Sequence, residues 1–176
     1  MKQLARLVLV LALLALAAVL LLRPAGIPPN QPEIPLVGMV DRVVLEKAAR
    51  ELTLWQGGKV VRRYPVALGF SPIGDKVRQG DGRTPEGVFR INRRNDRSKF
   101  HLSLGLDYPQ PEDLARAEAA GYDPGGDIML HGQPNSMPVG MKAKGDWTAG
   151  CIALTNDQIE EIWRVTQIGT VVEIRP

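Results

Sequence analysis

The segment HGQPNSMPVGMKAKGDWTAGC runs from His131 to Cys151 and holds the chain's one cysteine and one of its two histidines. A thiol attacks as thiolate, and an unperturbed pKa of ~8.5 leaves little thiolate at neutral pH. An imidazole within reach can take that proton. The residues DIML before His131 read as a strand, so the imidazole stands where a strand enters a glycine-rich loop. Cys151 follows Gly150, which allows close backbone approach and frees main-chain N–H groups of the kind a tetrahedral oxyanion requires. Thr155 and Gln158 form a T-x-x-Q capping pattern just beyond, which starts a helix with its partial positive end near the thiol. The same residue types also occur as a small buried hydrophobe, here beside Ile152 and Leu154, and as a structural histidine at a strand end. The spacing alone leaves both readings standing.

The compartment sharpens the question. Leu7 to Leu22 contains no polar side chain, and Lys2 and Arg6 precede it. As a helix it would span roughly 24 Å at ~1.5 Å per residue. It predicts a membrane anchor or a signal peptide over residues 1–23. An uncleaved anchor is favoured, because cleavage after Ala17 would leave an exposed apolar N-terminus. The flanking bases orient the N-terminus inward and the domain outward. The localisation expected is therefore extracytoplasmic, in a periplasm, with the chain held to the inner membrane through residues 7–22. Outside the cytoplasm cysteines usually pair. A single cysteine cannot pair within its own chain, which points to intermolecular pairing or a reactive group.

Five prolines between Pro24 and Val37 make residues 24–37 an extended linker. At ~3.1 Å per residue it reaches about 40 Å from the bilayer. From residue 38 to 176 the pattern is that of one globular domain. Val43 and Leu45, then Leu52 and Leu54, alternate as in strands, and Gly57-Gly58 predicts a hairpin turn into Val60-Val61. A short strand is expected over Val88 to Ile91, followed by NRRNDRSK as a solvated charged loop. PEDLARAEAAG reads as a helix with Pro111 at its start and Gly121 past its end. After Thr155, the residues Ile159, Ile162, Trp163 and Thr166 mark one helical face, and TVVEI closes the domain as a strand. The fold class expected is mostly β with short helices.

Charge and composition exclude several functions. Removing Lys2, Arg6 and Arg23 from the 22 bases, and Glu33 from the 19 acids, leaves 19 against 18 in the domain. No basic stripe is present, so nucleic acid is not an expected partner. With two histidines and one cysteine there is no metal-ligand cluster and no cofactor motif.

The residues His131-Gly132, Thr148-Ala149-Gly150-Cys151 and Asn156 resemble the signature of the L,D-transpeptidase catalytic domain family, the YkuD-type fold. YPVALG and GDGRTPEGVFRI resemble its upstream strand and turn, so the likeness spans Gly38 to Pro176. The resemblance implies a β-sandwich domain that acts on peptidoglycan stem peptides in cell-wall biogenesis and cell shape. It makes Cys151 the nucleophile and His131 the general base, with Gly132 orienting the imidazole through its backbone. Gly150 would support the oxyanion with its main-chain N–H. Thr148 and Asn156 are expected as substrate-side or structural support. The partners implied are a tetrapeptide donor, an amine acceptor and, as one acceptor, a wall-attached lipoprotein. Ala149 and Ala153 depart from the family pattern, which commonly has His and Arg there. A hydrolase cutting stem-peptide or lipoprotein–peptidoglycan bonds through the same acyl-enzyme, and an inactive wall-binding module, are the alternatives.

Overall fold

The computed structural model describes residues 35–138 and 140–176. The apolar run at 7–22, read above as an anchor, and the linker up to residue 34 lie outside the described residues. Among the described residues no helix is long and apolar enough to cross a membrane.

The order of elements is β1 (Arg42–Glu46), β2 (Glu51–Gln56), β3 (Lys59–Pro65), β4 (Gly87–Ser98), β5 (His101–Leu106), α1 (Pro111–Ala120), β6 (Met129–His131), β7 (Ile152–Ala153), α2 (Asn156–Val165) and β8 (Val171–Arg175). The strands pair in one continuous order, β3-β2-β1-β8-β4-β5-β6-β7. The expected alternation holds where it was read: Val43 pairs with Leu54 and Leu45 with Leu52, and all four are buried. Gly57-Gly58 turns β2 into β3. The expected mostly-β class with few helices is observed, but the two-sheet sandwich becomes a single curled sheet. The physical reason lies in β4. Its first half, Gly87 to Arg90, pairs with β8, and its second half, Ile91 to Ser98, pairs with β5. Register shifts at Ile91/Arg93 and Asn95/Ser98 bend it between the two. The curl brings the far edges together, because Ala67, just past edge strand β3, exchanges both backbone hydrogen bonds with Ala153 of edge strand β7 (3.0 and 2.8 Å).

The charged stretch NRRNDRSK is therefore strand, not loop. Arg94 explains how so polar a sequence is held. Its guanidinium stacks 3.8 Å over the Trp163 ring and donates to Trp163 O and Thr166 O, both at 2.8 Å. It thus satisfies the open carbonyls at the C-terminal end of α2 and ties that helix to β4.

One hydrophobic core fills the curl, with Leu54, Phe89, Ile91, Leu104, Leu130 and Ile152 among its members. Helix α2 adds Ile159, Ile162 and Val165, all buried. Thr166, expected on that helical face, instead ends the helix, and its Oγ1 donates back to Ile162 O at 2.6 Å. The N-terminus is capped as the sequence predicts. Thr155 Oγ1 accepts from Gln158 N (3.4 Å), and Thr155 N donates to Gln158 Oε1 (3.0 Å). Thr155→Ala removes the hydroxyl acceptor, so it is expected to lower unfolding free energy by about 1 kcal/mol, read by chemical denaturation. An unchanged midpoint would remove the cap from the account of stability.

Candidate active site

Strands β5, β6 and β7 carry two chemically different faces. Leu104, Leu130 and Ile152 point into the core. Their neighbours in sequence point to the other face, because side chains alternate along a strand. That face presents Ser103 and Gly105 on β5, Met129 and His131 on β6, and Ala153 on β7. Leu130 pairs with Ile152 in parallel, so one step back along both strands sets Cys151 beside Met129. The Met129 backbone beside the sulfur favours the thiolate, against the burial that disfavours it. The thiol and the imidazole are thereby brought onto neighbouring strands and onto one face.

His131 is 3% exposed. Its Nδ1 lies 2.7 Å from Gly132 O. A carbonyl can only accept, so Nδ1 carries the proton and Nε2 keeps its lone pair. The ring is clamped by Phe100, with centroids 4.6 Å apart, and by the edge of Trp147 at 5.7 Å. Burial depresses the imidazole pKa, and the bond to Gly132 opposes that only in part. The resting imidazole is therefore a neutral base. Ser103 pairs with His131 across the ladder. Ser103 Oγ and Trp147 Nε1 are buried polar atoms beside the ring without a hydrogen-bond partner.

The rest of the HGQPN motif holds this strand end. A Cβ on Gly132 would stand 2.6 Å from Asn156 Oδ1 and 3.0 Å from Phe100 O, so no other residue fits. Gly132 N donates to Phe100 O and Leu102 O of the β4–β5 hairpin (3.0 and 3.2 Å). Gln133 N donates to Asn156 Oδ1 (2.8 Å), and its side chain bridges Leu154 O (2.6 Å) and Ala143 N (2.8 Å). Asn135 accepts from His101 N (2.8 Å) and donates to Ser98 O (2.9 Å). Asn156 is thus a structural tie between α2 and the loop after the imidazole. Gln133 and Asn135 were not singled out in the sequence, although they belong to the same motif, because an amide side chain signals no chemistry of its own.

The cysteine is half-buried and reduced. Its Sγ donates to Asp127 O at 3.3 Å, not to the imidazole. Burial raises the thiol pKa, the Met129 N–H lowers it, Asp127 raises it, and Lys76 and Arg93 lower it. The resting thiol is neutral. Thr148 shapes the turn around it. Gly150 N donates to Thr148 Oγ1 (3.1 Å), and that hydroxyl donates to Cys151 O (2.7 Å). Gly150 has a φ of 137°, and a Cβ there would stand 2.7 Å from Arg83 O. Its N–H, expected to serve an oxyanion, is already committed to Thr148.

The loop between His131 and Cys151 is anchored by Asp146, which accepts from Leu68 N (2.9 Å) and pairs with Arg50 (3.0 Å). Two cavities beside this loop share Gln133 in their lining. One of about 480 Å³ is lined by Arg50, Lys142, Lys144 and Ala153 among others, and one of about 590 Å³ lies between His101, Gln133 and Glu160. Neither is lined by Cys151. Among the described residues no cluster of His, Cys, Asp and Glu could hold a metal ion.

The L,D-transpeptidase catalytic domain model, YkuD, matches residues 40–174. The chain belongs to that family. It is 26% identical over 135 residues to YafK of Escherichia coli (strain K12), covering 73% of this chain and 48% of that protein. Among solved structures, the helical cell shape determining protein Pgp2 (K307A mutant) from Campylobacter jejuni is 25% identical with a TM-score of 0.59, over 78% of this chain and 47% of that one. Bd1075 of Bdellovibrio bacteriovorus, 21% identical with a TM-score of 0.54 over 83% of this chain and 54% of that one, shares the fold. The chain spans about half the length of the curated relatives it matches.

The buried imidazole has a consequence for stability. The unfolded chain binds a proton on His131 near its ordinary value of 6.5, where the folded chain does not. Stability is therefore expected to fall as pH drops through that value, by at most about 1.4 kcal/mol per unit from this group. Denaturation of wild type and His131→Gln between pH 5 and 7.5 checks this. The variant should show the shallower dependence, and parallel curves would contradict a buried neutral imidazole.

Proposed function

We propose that the chain is an L,D-transpeptidase that works on peptidoglycan stem peptides through a Cys151 acyl-enzyme. The observation that carries this reading is the Nδ1–H bond to Gly132 O, which leaves Nε2 as a buried, unprotonated base on the face that holds the family's cysteine. Rotation of the Cys151 side chain away from Asp127 O presents the S–H to Nε2. His131 takes that proton, and the thiolate attacks the carbonyl of the L-centre of the donor's diamino acid. We assign the oxyanion to the Cys151 N–H, since the Gly150 N–H serves Thr148. Collapse breaks the peptide bond, and the imidazolium gives its proton to the leaving D-alanine amine. The acceptor amine then attacks the thioester, loses a proton to His131, and the thiol is restored.

Cross-link formation and attachment of a wall-bound lipoprotein differ in the acceptor alone. Residues 7–22 would hold the enzyme at the inner membrane, with the domain on the periplasmic side and the proline-rich linker giving it reach toward the wall.

The test is incubation of the chain with disaccharide-tetrapeptides, followed by mass spectrometry. A dimer lacking one D-alanine is the expected product. Tripeptide alone would assign hydrolysis instead, and unchanged substrate would leave a wall-binding module. Cys151→Ala should form no acyl-enzyme in intact-mass spectra. His131→Gln should acylate about 10²–10⁴-fold more slowly, the usual loss when a general base is removed. Equal acylation rates for wild type and His131→Gln would overturn the assigned roles.

A further inference from the structure

Arg93, Gly105, Met129 and Cys151 lie in one transverse row across β4, β5, β6 and the residue that leads into β7. Arg93 pairs with Gly105, Gly105 with Met129, and the parallel register of β6 and β7 sets Met129 beside Cys151. Directly paired residues project to the same face, so the Arg93 side chain shares a face with the thiol. A Cβ on Gly105 would stand 2.5 Å from Arg93 Cγ and 2.7 Å from Nε. The bare glycine is the bed on which the arginine stem lies as it crosses β5 toward β6. At the far end Arg93 Nη2 donates to Asp127 Oδ1 at 2.6 Å.

Asp127 is unusual in its own right. Its φ is 56°, left-handed for a residue other than glycine, and its main-chain carbonyl is the acceptor of the thiol hydrogen. One residue therefore holds both the nucleophile and an outward carboxylate. The ion pair is open to solvent, with Arg93 47% and Asp127 81% exposed. An exposed pair contributes little to folding, and a glycine inside a strand weakens it. Three charged side chains act on the thiol: Asp127, Lys76 and Arg93. Lys76 is buried and bonded to Asp81 Oδ1 (2.8 Å) and Arg78 O (3.2 Å). Arg93 and Asp127 face outward and keep unused valences: the second carboxylate oxygen, and the guanidinium donors Nε and Nη1.

We propose that Arg93 and Asp127 form a specificity subsite for a zwitterionic α-amino carboxylate at the side-chain end of the donor's diamino acid. Asp127 takes the ammonium and Arg93 takes the carboxylate. The subsite rests on the peptidoglycan reading above and supplies what that reading leaves open, the class of diamino acid. Asp127 carries both the carboxylate that meets Arg93 and the carbonyl on which the thiol rests, so the pair adjoins the sulfur. A donor ending in lysine offers the ammonium alone, and a donor amidated on its side-chain carboxylate loses the negative charge that Arg93 would meet.

Three disaccharide-tetrapeptide donors separate these cases on the full chain. Their third residues are diaminopimelate, diaminopimelate amidated on its side-chain carboxylate, and lysine. Wild type is expected to favour the first by about tenfold or more in kcat/KM, the scale of one charge-assisted hydrogen bond. Arg93→Gln should bring that preference toward one, chiefly through KM. Asp127→Asn, which tolerates the left-handed backbone, should lower kcat/KM on all three donors, since each carries the ammonium. Arg93→Lys keeps the charge without the fork and should fall between; it stands in for Arg93→Gln if that variant melts early. Equal use of the three donors by wild type, or a preference that survives in both Arg93 variants, overturns the subsite and leaves the peptidoglycan reading intact. Turnover of none of them by wild type overturns the reading beneath it.

Discussion

A hydrogen atom where every other residue has a Cβ is the constraint on which this site depends. At Gly132 the end of β6, the β4–β5 hairpin and the first residue of α2 converge, with Asn156 Oδ1 and Phe100 O at the position a side chain would take. Because the three elements meet there, Gly132 O faces the imidazole and sets its tautomer, Gly132 N bonds to the hairpin, and Gln133 N reaches Asn156. A larger residue would push α2 from the hairpin or turn the carbonyl from the ring. Either movement would disturb His131 before it touched Cys151.

The curled sheet divides the labour between its faces. Leu104, Leu130 and Ile152 fill the core with α2, and the intervening residues hold Ser103, His131 and Cys151 on the opposite side. Burial of the core face makes the register rigid, since a one-residue slip would exchange the two sets. The Ala67–Ala153 pair closes the edge on which β7 would otherwise end. A two-residue strand would be a weak platform for the cysteine that precedes it. Bonded on one side to β6 and on the other to the segment after β3, it is held at both edges.

The resting state is electrically quiet. Burial pushes the imidazole down and the thiol up, so neither carries charge, and the thiol rests on a backbone carbonyl. An ion pair formed in advance in this partly buried site would bear a desolvation cost without a substrate to share it. In the proposed reaction, transfer of the proton at the moment of attack would avoid that cost, and the fixed Nδ1–H bond would stabilise the imidazolium as it forms.

The sequence by itself determined the local elements and singled out the residues proposed to react. The alternation of Val43, Leu45, Leu52 and Leu54, the Gly57-Gly58 turn and the Thr155–Gln158 cap are governed by neighbours a few residues apart, so they were legible. The cysteine was legible because the chain holds one thiol, and His131, one of two histidines, because the family signature is matched at His131-Gly132. Tertiary structure decided the rest. NRRNDRSK looks like a solvated loop because its partners, β5 and the carbonyl end of α2, come from distant sequence, and long-range pairing overrides its polar composition. Gly150 looked free to serve an oxyanion until Thr148 Oγ1 claimed its N–H. The row from Arg93 to Cys151 runs from β4 to the residue that leads into β7, and register across a sheet is set by pairing that no local pattern contains.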